Sequence, residues 1–311
     1  MADKRGNFAV LFAVTGYMTC SALMLLVNKL AVFYLPAPSF VLMCQLITSA
    51  LTMVFVGKTG LATVDALEWG KVKRFYIVPF AFLATIFANI KILQHANVET
   101  FIVFRVSTPL IISLLEYQYL GRELPSRRSW LCLFVLLLGG LAYVSCDKFF
   151  SVDAYFWVGV WYTVFTFDQV YIKHVVDAVK MTTWGRVYYT NLIASVPLIF
   201  TMAITGEFQL LSEFEWTLPS IVALSASCVM GTAIAWFAFE ARKTVSAAYF
   251  TVIGNTCKVL TVLLNHFMWD LHATPCGVAA LMTCLAAAYF YKQAPKRNSP
   301  SVKGRTGADK V

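Results

Sequence analysis

Polar residues recur along one face of an apolar stretch near the carboxyl end of the chain. Within residues 246–270, helical spacing brings four of them together, with Val262 interrupting the row: Thr251, Asn255, Lys258 and Asn265. A lysine at membrane depth costs several kcal/mol unless it faces a polar cavity or an opposite charge. An anion crossing the membrane would supply that charge. Thr251, Asn255 and Lys258 are therefore candidate ligands of a phosphate group, and Gly254 lies among them in the same stretch.

A second group of charges lies within residues 100–120. Arg105 and Glu116 share a helix face but are separated by roughly 16 Å at 1.5 Å per residue, so they cannot neutralise each other. Measured along their stretches, Arg105 lies roughly 10 Å and Lys258 roughly 13 Å from the same membrane surface. Two cations at similar depth could hold one diphosphate. The alternative is that Arg105 pairs with a protein carboxylate such as Asp168.

Three further charged residues are candidates for gating or for balancing the charge of an empty site. Asp168 is one of them, although it could instead form a structural pair with Lys173. Glu116 is the second. Lys29 is the third, and its position near the end of an apolar stretch is equally compatible with a side chain that reaches up to the interface.

Aromatic residues and a carboxamide lie together within residues 184–191. Tyr188 and Tyr189 offer rings that stack on a nucleobase, and Asn191 offers an amide that matches its edge. The alternative is an ordinary aromatic belt at the membrane interface. Asn191 lies about 9–12 Å shallower than Asn255 and Lys258, which suits a ligand with a base at one end and phosphate at the other.

The elements that position these residues are predicted to be membrane helices. Of the 311 residues, 59% are hydrophobic and only 13% are charged, which indicates a polytopic membrane protein. Ten apolar stretches have the length of about 20 residues that a bilayer requires. They are 8–33, 39–57, 75–94, 100–120, 129–146, 154–175, 187–206, 219–239, 245–267 and 272–291.

Basic residues alternate between the connections of these stretches. Nineteen of them fall on one side, in the two tails and in every second connection, whereas the five connections on the other side hold only Lys148. The positive-inside rule then predicts that both termini are cytosolic. It also explains the net charge of +9 without a nucleic-acid partner.

Five stretches followed by five more would insert the two halves in opposite orientations, as in a transporter built from an inverted repeat. The predicted organisation is a cytosolic tail at 1–7, a transporter domain at 8–291 and a disordered basic cytosolic tail at 292–311. The halves of the domain are about 8–147 and 154–291. Neither the cysteines nor the histidines have metal-binding spacing, and no hydrolytic motif is present, so we expect no metal, no cofactor and no enzyme activity.

The chain resembles the Golgi nucleotide-sugar transporters of the drug/metabolite transporter superfamily, and within them the GDP-sugar group, which carries GDP-mannose, GDP-fucose or GDP-L-galactose. The resemblance runs from the first stretch to the last. It is carried by VNKL at 27–30, HANVETFIVFR at 95–105, VYIKH at 170–174, and VLLN through WD at 262–270.

The resemblance also implies roles for the candidate residues. The Phe-Tyr-Asn-Asn motif that holds guanosine in such carriers falls on residues 188–191, and the Gly-Ala-Leu-Asn-Lys motif that holds ribose, phosphate and sugar falls on 254–258. Tyr189, Asn191, Gly254 and Lys258 match these motifs. Thr190 and Cys257 each replace an asparagine, so each position loses a carboxamide that could both donate and accept hydrogen bonds, and the resemblance to a guanine-selective carrier is weaker there.

The implied function is an antiporter that brings a GDP-sugar into the Golgi lumen in exchange for GMP. A nucleotide sugar carries a charge of about −2 and a monophosphate −1.5 to −2, so one set of fixed cations serves both. Membrane lipid surrounds such a protein, and a homodimer is compatible with the sequence. Alternatives are another nucleotide sugar, such as a UDP-sugar, or a plastid-type phosphate translocator.

Overall fold

The computed structural model describes residues 2–95, 98–145, 153–268 and 275–297, and within these ranges the chain is almost entirely helical. An isolated β-bridge joins Arg122 to Lys296. The described helices are α1 (Ala2–Tyr34), α2 (Pro38–Lys58), α3 (Trp69–Phe75), α4 (Ile77–His95), α5 (Val98–Tyr119), α6 (Arg127–Ser145), α7 (Asp153–Ala178), α8 (Thr183–Thr205), α9 (Glu207–Ser212), α10 (Leu218–Thr244), α11 (Ala247–Met268) and α12 (Pro275–Phe290).

Each of the ten predicted stretches coincides with one helix, and two short helices are additional. α3 lies in a basic connection that was predicted to be a loop, and α9 begins directly after Gly206. Gly206 has φ of +73°, a left-handed conformation that ends α8 and turns the chain into α9. The sequence therefore predicted the long apolar helices, but not the short ones between them.

Four described helices are long and apolar enough to cross a membrane by length and composition: Phe8–Tyr34, Pro38–Lys58, Thr183–Thr205 and Leu218–Thr244. Large apolar side chains also point outward from the bundle. Phe55 is 64% exposed, Phe200 67% and Ile204 86%. A water-soluble monomer rarely exposes so much contiguous apolar surface, whereas a bilayer covers it. The chain is an all-α polytopic membrane protein.

Arg242 lies inside a helix, although the sequence had indicated a connection there. α10 continues to Thr244, and Val245 then adopts an extended conformation with φ of −111°. The sequence prediction ended this stretch at residue 239, which left the basic pair Arg242–Lys243 in the connection that follows. No glycine or proline interrupts residues 232–244, so the helix continues through them.

The helices pack in pairs around the middle of the molecule. α1 packs against α10, α4 against α7, α2 against α8, α5 against α11 and α6 against α12. Because lipid is as apolar as leucine, such pairs depend on close van der Waals contact. A Cβ on Gly16 would overlap the ring of Phe237, and one on Gly139 would lie 2.6 Å from Cys284 Sγ. Glycine therefore allows the close approach of α1 to α10 and of α6 to α12.

The first residues after α12 are ordered, although we had expected disorder from Lys292 onward. Arg122 Nη1 donates to the Ala294 carbonyl at 2.7 Å, and the Arg297 N–H donates to the Gly121 carbonyl at 2.8 Å. Arg297 also donates to the Tyr117 carbonyl. These bonds fix residues 292–297 across the ends of α5 and α6. Residues 298–311 lie outside the described part of the chain.

Candidate functional site

The two central helices, α5 and α11, are joined at a break in the helical backbone. Pro109 lies inside α5 and has no N–H, so the carbonyl of Arg105, four residues earlier, loses its helical donor. The Thr108 hydroxyl at 2.7 Å and Asn255 Nδ2 at 3.1 Å replace that donor. Asn255, predicted as a substrate ligand, thus uses one amide atom on the neighbouring helix. Its Oδ1 is buried without a hydrogen-bond partner among the described residues.

The Arg105 side chain lies where four helices meet. Its guanidinium carbon is 5.2 Å from the ring centroid of Phe165 on α7, which is a cation–π distance. Tyr17 of α1 interacts electrostatically with Arg105. The Tyr17 hydroxyl would lie 3.7 Å from a Cβ placed on Gly254, and its ring centroid is 4.7 Å from that of Phe250. Helices α1, α5, α7 and α11 therefore surround the cation predicted to bind phosphate.

Two further predicted polar residues of α11 are Thr251, whose side chain is described, and Lys258, whose side chain is not. The Thr251 hydroxyl donates to the Ala247 carbonyl one turn earlier, at 2.8 Å, and its side chain is buried. That bond still leaves an acceptor on the hydroxyl oxygen. Lys258 follows Gly254 by one helical turn, but its side chain lies outside the described part of the structure. Its pairing with Arg105 on one diphosphate remains a prediction.

The residues predicted to face a nucleobase are held by other parts of the protein. Tyr189 is fully buried; its hydroxyl donates to the Ala66 carbonyl and accepts from the Glu68 N–H at 2.7 Å. Asn191 Nδ2 donates to Ser49 Oγ of α2 at 2.7 Å. Tyr188 is half-buried. α8 packs on α2, α10 and α4, whereas α11 packs on α5, α1 and α12. The structure thus keeps the two predicted ends of the site on different helix groups.

The connection between α2 and α3 is fastened to the beginning of α8 by a carboxylate. Asp65 Oδ2 accepts hydrogen bonds from the Thr182 N–H and hydroxyl, both at 2.8 Å, and Asp65 Oδ1 lies 3.4 Å from Lys71 Nζ. Burial raises the pKa of this carboxyl, but these hydrogen bonds and the lysine outweigh burial, so the pKa lies below its usual value. A Cβ on Gly185 would overlap the Asp65 carboxylate. Only glycine allows this close approach.

A second carboxylate fastens α9 to the beginning of α2. Glu207 accepts from the Ser39 N–H at 3.1 Å and from the Phe40 N–H at 2.8 Å. Amide groups in the first turn of a helix have no partner within the helix and favour a negative charge. Neither Asp65 nor Glu207 was among the residues predicted from the sequence. Their partners lie more than a hundred residues away along the chain, and no local motif marks them.

Asp168 is connected to Arg242 through a glutamine. Gln169 Nε2 donates to Asp168 Oδ2 at 3.0 Å, and Arg242 Nη2 donates to Gln169 Oε1 at 2.9 Å. The Arg242 guanidinium lies 3.9 Å from the Phe250 ring centroid. Arg242 is therefore a missed cation near the predicted site, and recognising that α10 continues past residue 239 would have revealed it.

Lys173 joins α7 to α10 rather than pairing with Asp168. Its Nζ lies 3.0 Å from Asp177 Oδ1 and donates to the Arg242 carbonyl at 2.7 Å. Of the two roles predicted for Asp168, the structural pair with Lys173 is wrong, because Lys173 pairs with Asp177. The role of Asp168 as a balancing charge for a nearby cation remains a prediction.

Glu116 fastens α5 to the beginning of α11. Its two oxygens accept from the Ala247 N–H at 2.7 Å and from the Ala248 N–H at 3.3 Å, and Oε1 lies 3.4 Å from Arg122 Nε. Both charged side chains of this pair are buried. The buried Glu116 carboxylate is therefore paired with the N-terminus of α11 and with Arg122.

Lys29 lies on an exposed position of α1, beside a buried polar cluster. In that cluster, Asn28 Oδ1 accepts from Gln45 Nε2 at 2.9 Å and from Ser227 Oγ at 3.1 Å. The cluster ties α1 to α2 and α10. Throughout the described ranges, no group of three histidine, cysteine or acidic side chains could hold a metal ion.

Comparison with known proteins identifies relatives of this chain. No family model matches the chain. GDP-fucose transporter 1 of Arabidopsis thaliana is 38% identical over 308 residues, which cover 97% of this chain and 90% of the relative. GDP-mannose transporter GONST3 of the same plant is 34% identical over 89% of this chain and 76% of the relative. UDP-sugar transporter UST74c of Drosophila melanogaster is 23% identical over 81% of this chain and 68% of the relative.

A solved crystal structure has the same fold. It superposes with a TM-score of 0.68 over 91% of this chain and 96% of its own, at 12% identity. Two relatives above 30% identity span most of the chain, and both are transporters and not enzymes. The chain is therefore a membrane transporter that belongs to the nucleotide-sugar transporter family.

Proposed function

We propose that this protein carries a GDP-sugar from the cytosol into the Golgi lumen and returns GMP by alternating access. The observation that carries the proposal is similarity to two transporters named for GDP-fucose and GDP-mannose, over 97% and 89% of this chain. The candidate site is compatible with such an anion. Arg105 lies at the α5–α11 crossing, and Gly254 leaves room beside it.

Ten membrane spans in a 5+5 inverted repeat, with both termini cytosolic, form the proposed architecture. The packing supports it. In a 5+5 repeat, each helix of the first half corresponds to one of the second: α1 to α7, α2 to α8, α4 to α10, α5 to α11 and α6 to α12. Exchanging corresponding helices converts the observed α1–α10 pair into the α7–α4 pair, which is also observed. The same exchange turns the α5–α7 contact into the α11–α1 contact, and leaves the α2–α8, α5–α11 and α6–α12 pairs unchanged.

The carboxylate caps obey the same exchange. Asp65 follows α2 and accepts from Thr182, the residue before α8, whereas Glu207 follows α8 and accepts from the first amides of α2. Each of these two connections thus fastens the beginning of a helix in the other proposed half, as an inverted repeat would require. This relation supports a site between the halves near the bilayer midplane.

The proposed residue roles follow the two ends of the ligand. Arg105, Gly254 and Lys258 contact the phosphates and sugar, with Thr251 and Asn255 beside them. Tyr188, Tyr189 and Asn191 belong to the base end; for Tyr189 and Asn191 to face the ligand, α8 must move relative to α2 during the transport cycle. Asp168, Glu116 and Lys29 hold or balance charge as the site empties. Lipid is the surrounding partner, and the carrier works as a monomer or a homodimer.

The test of the phosphate role is the variant Lys258→Ala in proteoliposomes loaded with GMP. We expect counterflow of GDP-sugars to fall to background, because the buried phosphate loses its cation. Lys243→Ala is the matched control, since Lys243 is 55% exposed and pairs only with Glu240 among the described residues. Exchange that persists in Lys258→Ala, with normal folding, would remove Lys258 from the site.

The test of the substrate class is a panel of GDP-, UDP- and CMP-sugars in the same counterflow assay. We expect GDP-sugars to compete best. A result in which only UDP- or CMP-sugars compete would replace the guanine assignment with the alternative represented by the UDP-sugar relative. Exchange of phosphate and phosphorylated sugars alone would favour a phosphate translocator.

A further inference from the structure

An apolar groove lies between α5 and α7, on the outside of the helix bundle. Its volume is about 660 Å³, and most of the side chains that line it are aliphatic or aromatic. Several of them are exposed, among them Ile111 at 39% and Phe167 at 49%, so the groove opens away from the bundle. In a polytopic membrane protein, such a surface faces lipid and not water. The groove is therefore shaped to receive an apolar chain.

The groove follows both helices inward from the end that they share. On α7 it extends from His174 to Tyr162, roughly 18 Å at 1.5 Å per residue. On the other side it extends from Leu120, directly after α5, to Ile111, roughly 14 Å. The hydrocarbon core of a bilayer is about 30 Å thick, so the acyl chains of one leaflet occupy about 15 Å. The groove thus has the length of an acyl chain of one leaflet.

Basic residues lie around the outer end of the groove on the α7 side. The hydroxyl of Tyr171, in the groove wall, donates to the Arg74 carbonyl at 3.2 Å, and Arg74 is exposed in the last turn of α3. One turn beyond the groove on α7, the Asp177 carboxylate lies 3.0 Å from Lys173 Nζ and 3.2 Å from Lys296 Nζ. Two lysines share one carboxylate, so the charge there stays positive.

A further arginine lies on the α5 side of the same end. The Arg297 N–H donates at 2.8 Å to the carbonyl of Gly121, which directly follows Leu120 of the groove wall. The guanidinium carbon of Arg297 lies 4.0 Å from the ring centroid of Tyr117, and this arginine is exposed. The neighbouring Lys296 side chain is 63% exposed. Cations therefore lie on both sides of the groove opening.

The charge at this opening matches one class of lipid. In the proposed topology this end of the bundle is cytosolic, and the cytosolic leaflet carries anionic phospholipids that basic segments attract. A neutral phospholipid would fill the groove with its chain but would gain nothing from the cations. The chain length and the charge together favour an anionic phospholipid.

We infer that the α5–α7 groove binds an anionic phospholipid, with one acyl chain between the helices and the phosphate near Arg74, Lys296 and Arg297. This site lies outside the bundle and is distinct from the proposed transport site. Because α5 and α7 belong to different proposed halves, the bound lipid bridges the two halves from the membrane side.

The experiment measures lipid retention and thermal unfolding of the purified protein in detergent, with added phosphatidylserine or phosphatidylcholine. We expect phosphatidylserine to be retained in preference and to raise the unfolding midpoint at lower concentration. Arg74→Gln and Lys296→Gln should each reduce this preference about 5-fold, the contribution of one basic residue near a membrane surface. Lys243→Gln is the control, because Lys243 is 55% exposed near the end of α10 and pairs with Glu240. It should leave the preference unchanged.

Two further variants fill the groove from opposite walls. Thr163→Trp places an indole at its deep end from α7, and Ile111→Trp does so from α5. Each should remove the retained lipid and the preference for phosphatidylserine. Thr201→Trp is the matched control, since its exposed hydroxyl donates to the Pro197 carbonyl four residues earlier, as that of Thr163 does to Gly159. It should retain lipid as the wild-type protein does.

Two results would overturn the inference. Equal retention of both lipids by the wild-type protein would mean that the headgroup is not recognised. A preference for phosphatidylserine that survives in the groove-filling variants would place the anionic lipid elsewhere. The unfolding midpoint without added lipid shows whether each variant folds, and two positions on different helices keep the test decisive if one does not. Neither readout depends on transport, so failure here leaves the proposed function intact.

Discussion

Two buried polar regions of the molecule differ in how completely their hydrogen bonds are made. Where α5 ends and α11 begins, Glu116 and Arg122 are buried, but each has several partners, including a helix N-terminus and a carbonyl of the ordered tail. Between α8 and α10, Thr190 and Trp236 bury polar atoms without any described partner. Burial alone therefore does not distinguish structure from binding. The satisfied region ties α5, α11 and residues 292–297 together.

The largest effect on stability is expected in the satisfied region, from Arg122→Ala. The substitution leaves the Glu116 carboxylate buried without its cation, and breaking a buried pair in this way costs about 3–5 kcal/mol. It also removes the donor to the Ala294 carbonyl. Thermal unfolding in detergent measures the loss. Arg127→Ala is the control because Arg127 is exposed at the beginning of α6. Equal midpoints for the two variants would contradict the structural role.

A smaller loss is expected from Asp65→Asn, which keeps the shape of the cap but removes its charge. Carboxylates at helix N-termini contribute about 0.5–2 kcal/mol. Because folding lowers the pKa of Asp65, its contribution is fully present above the unfolded pKa and disappears as pH falls through the folded value. The difference in unfolding midpoint between wild type and variant should therefore shrink below about pH 4.

The control for this pH dependence is Glu213→Gln, an exposed carboxylate in the connection between α9 and α10. Its unfolding midpoint should follow that of the wild-type protein at every pH. A difference between wild type and Asp65→Asn that stays constant from pH 7 down to pH 3 would show that the Asp65 charge does not stabilise α8.

The smallest effect, with the opposite sign, is expected from Thr166→Val. The Thr166 hydroxyl is buried without a described partner, beside an apolar groove of about 660 Å³ between α5 and α7. Replacing an unpaired hydroxyl by a methyl of similar volume is neutral or stabilises by up to about 1 kcal/mol. Differential scanning fluorimetry compares it with Thr163→Val, whose hydroxyl donates to the Gly159 carbonyl at 2.9 Å. A clear loss in Thr166→Val would mean that this hydroxyl has a partner.

The sequence predicted the long helices well because apolar length and loop charge are local properties. It also predicted that Arg105 and Lys258 lie at similar membrane depth, since depth can be estimated from position in a stretch, and their pairing on one diphosphate stays a prediction. The hydrogen bond from Asn255 to the Arg105 carbonyl, which Pro109 leaves without its helical donor, shows where α5 and α11 contact each other.

Other features could not be read from the sequence because they depend on partners distant along the chain. Tyr189 had the residue type of a base-stacking side chain, but its hydroxyl is taken by the connection between α2 and α3. That the buried Trp236 N–H has no partner among the described residues is equally invisible in the sequence, because it depends on how the helices pack.

The ordered residues 292–297 also have a practical consequence for imaging. A membrane protein of 34.7 kDa offers little mass outside the bilayer for particle alignment in electron microscopy. A rigid fusion partner joined directly after Arg297, replacing residues 298–311, would inherit the three bonds from that arginine to α5 and to the connection that follows it. The bundle itself would then set the orientation of the added mass, without a flexible tether.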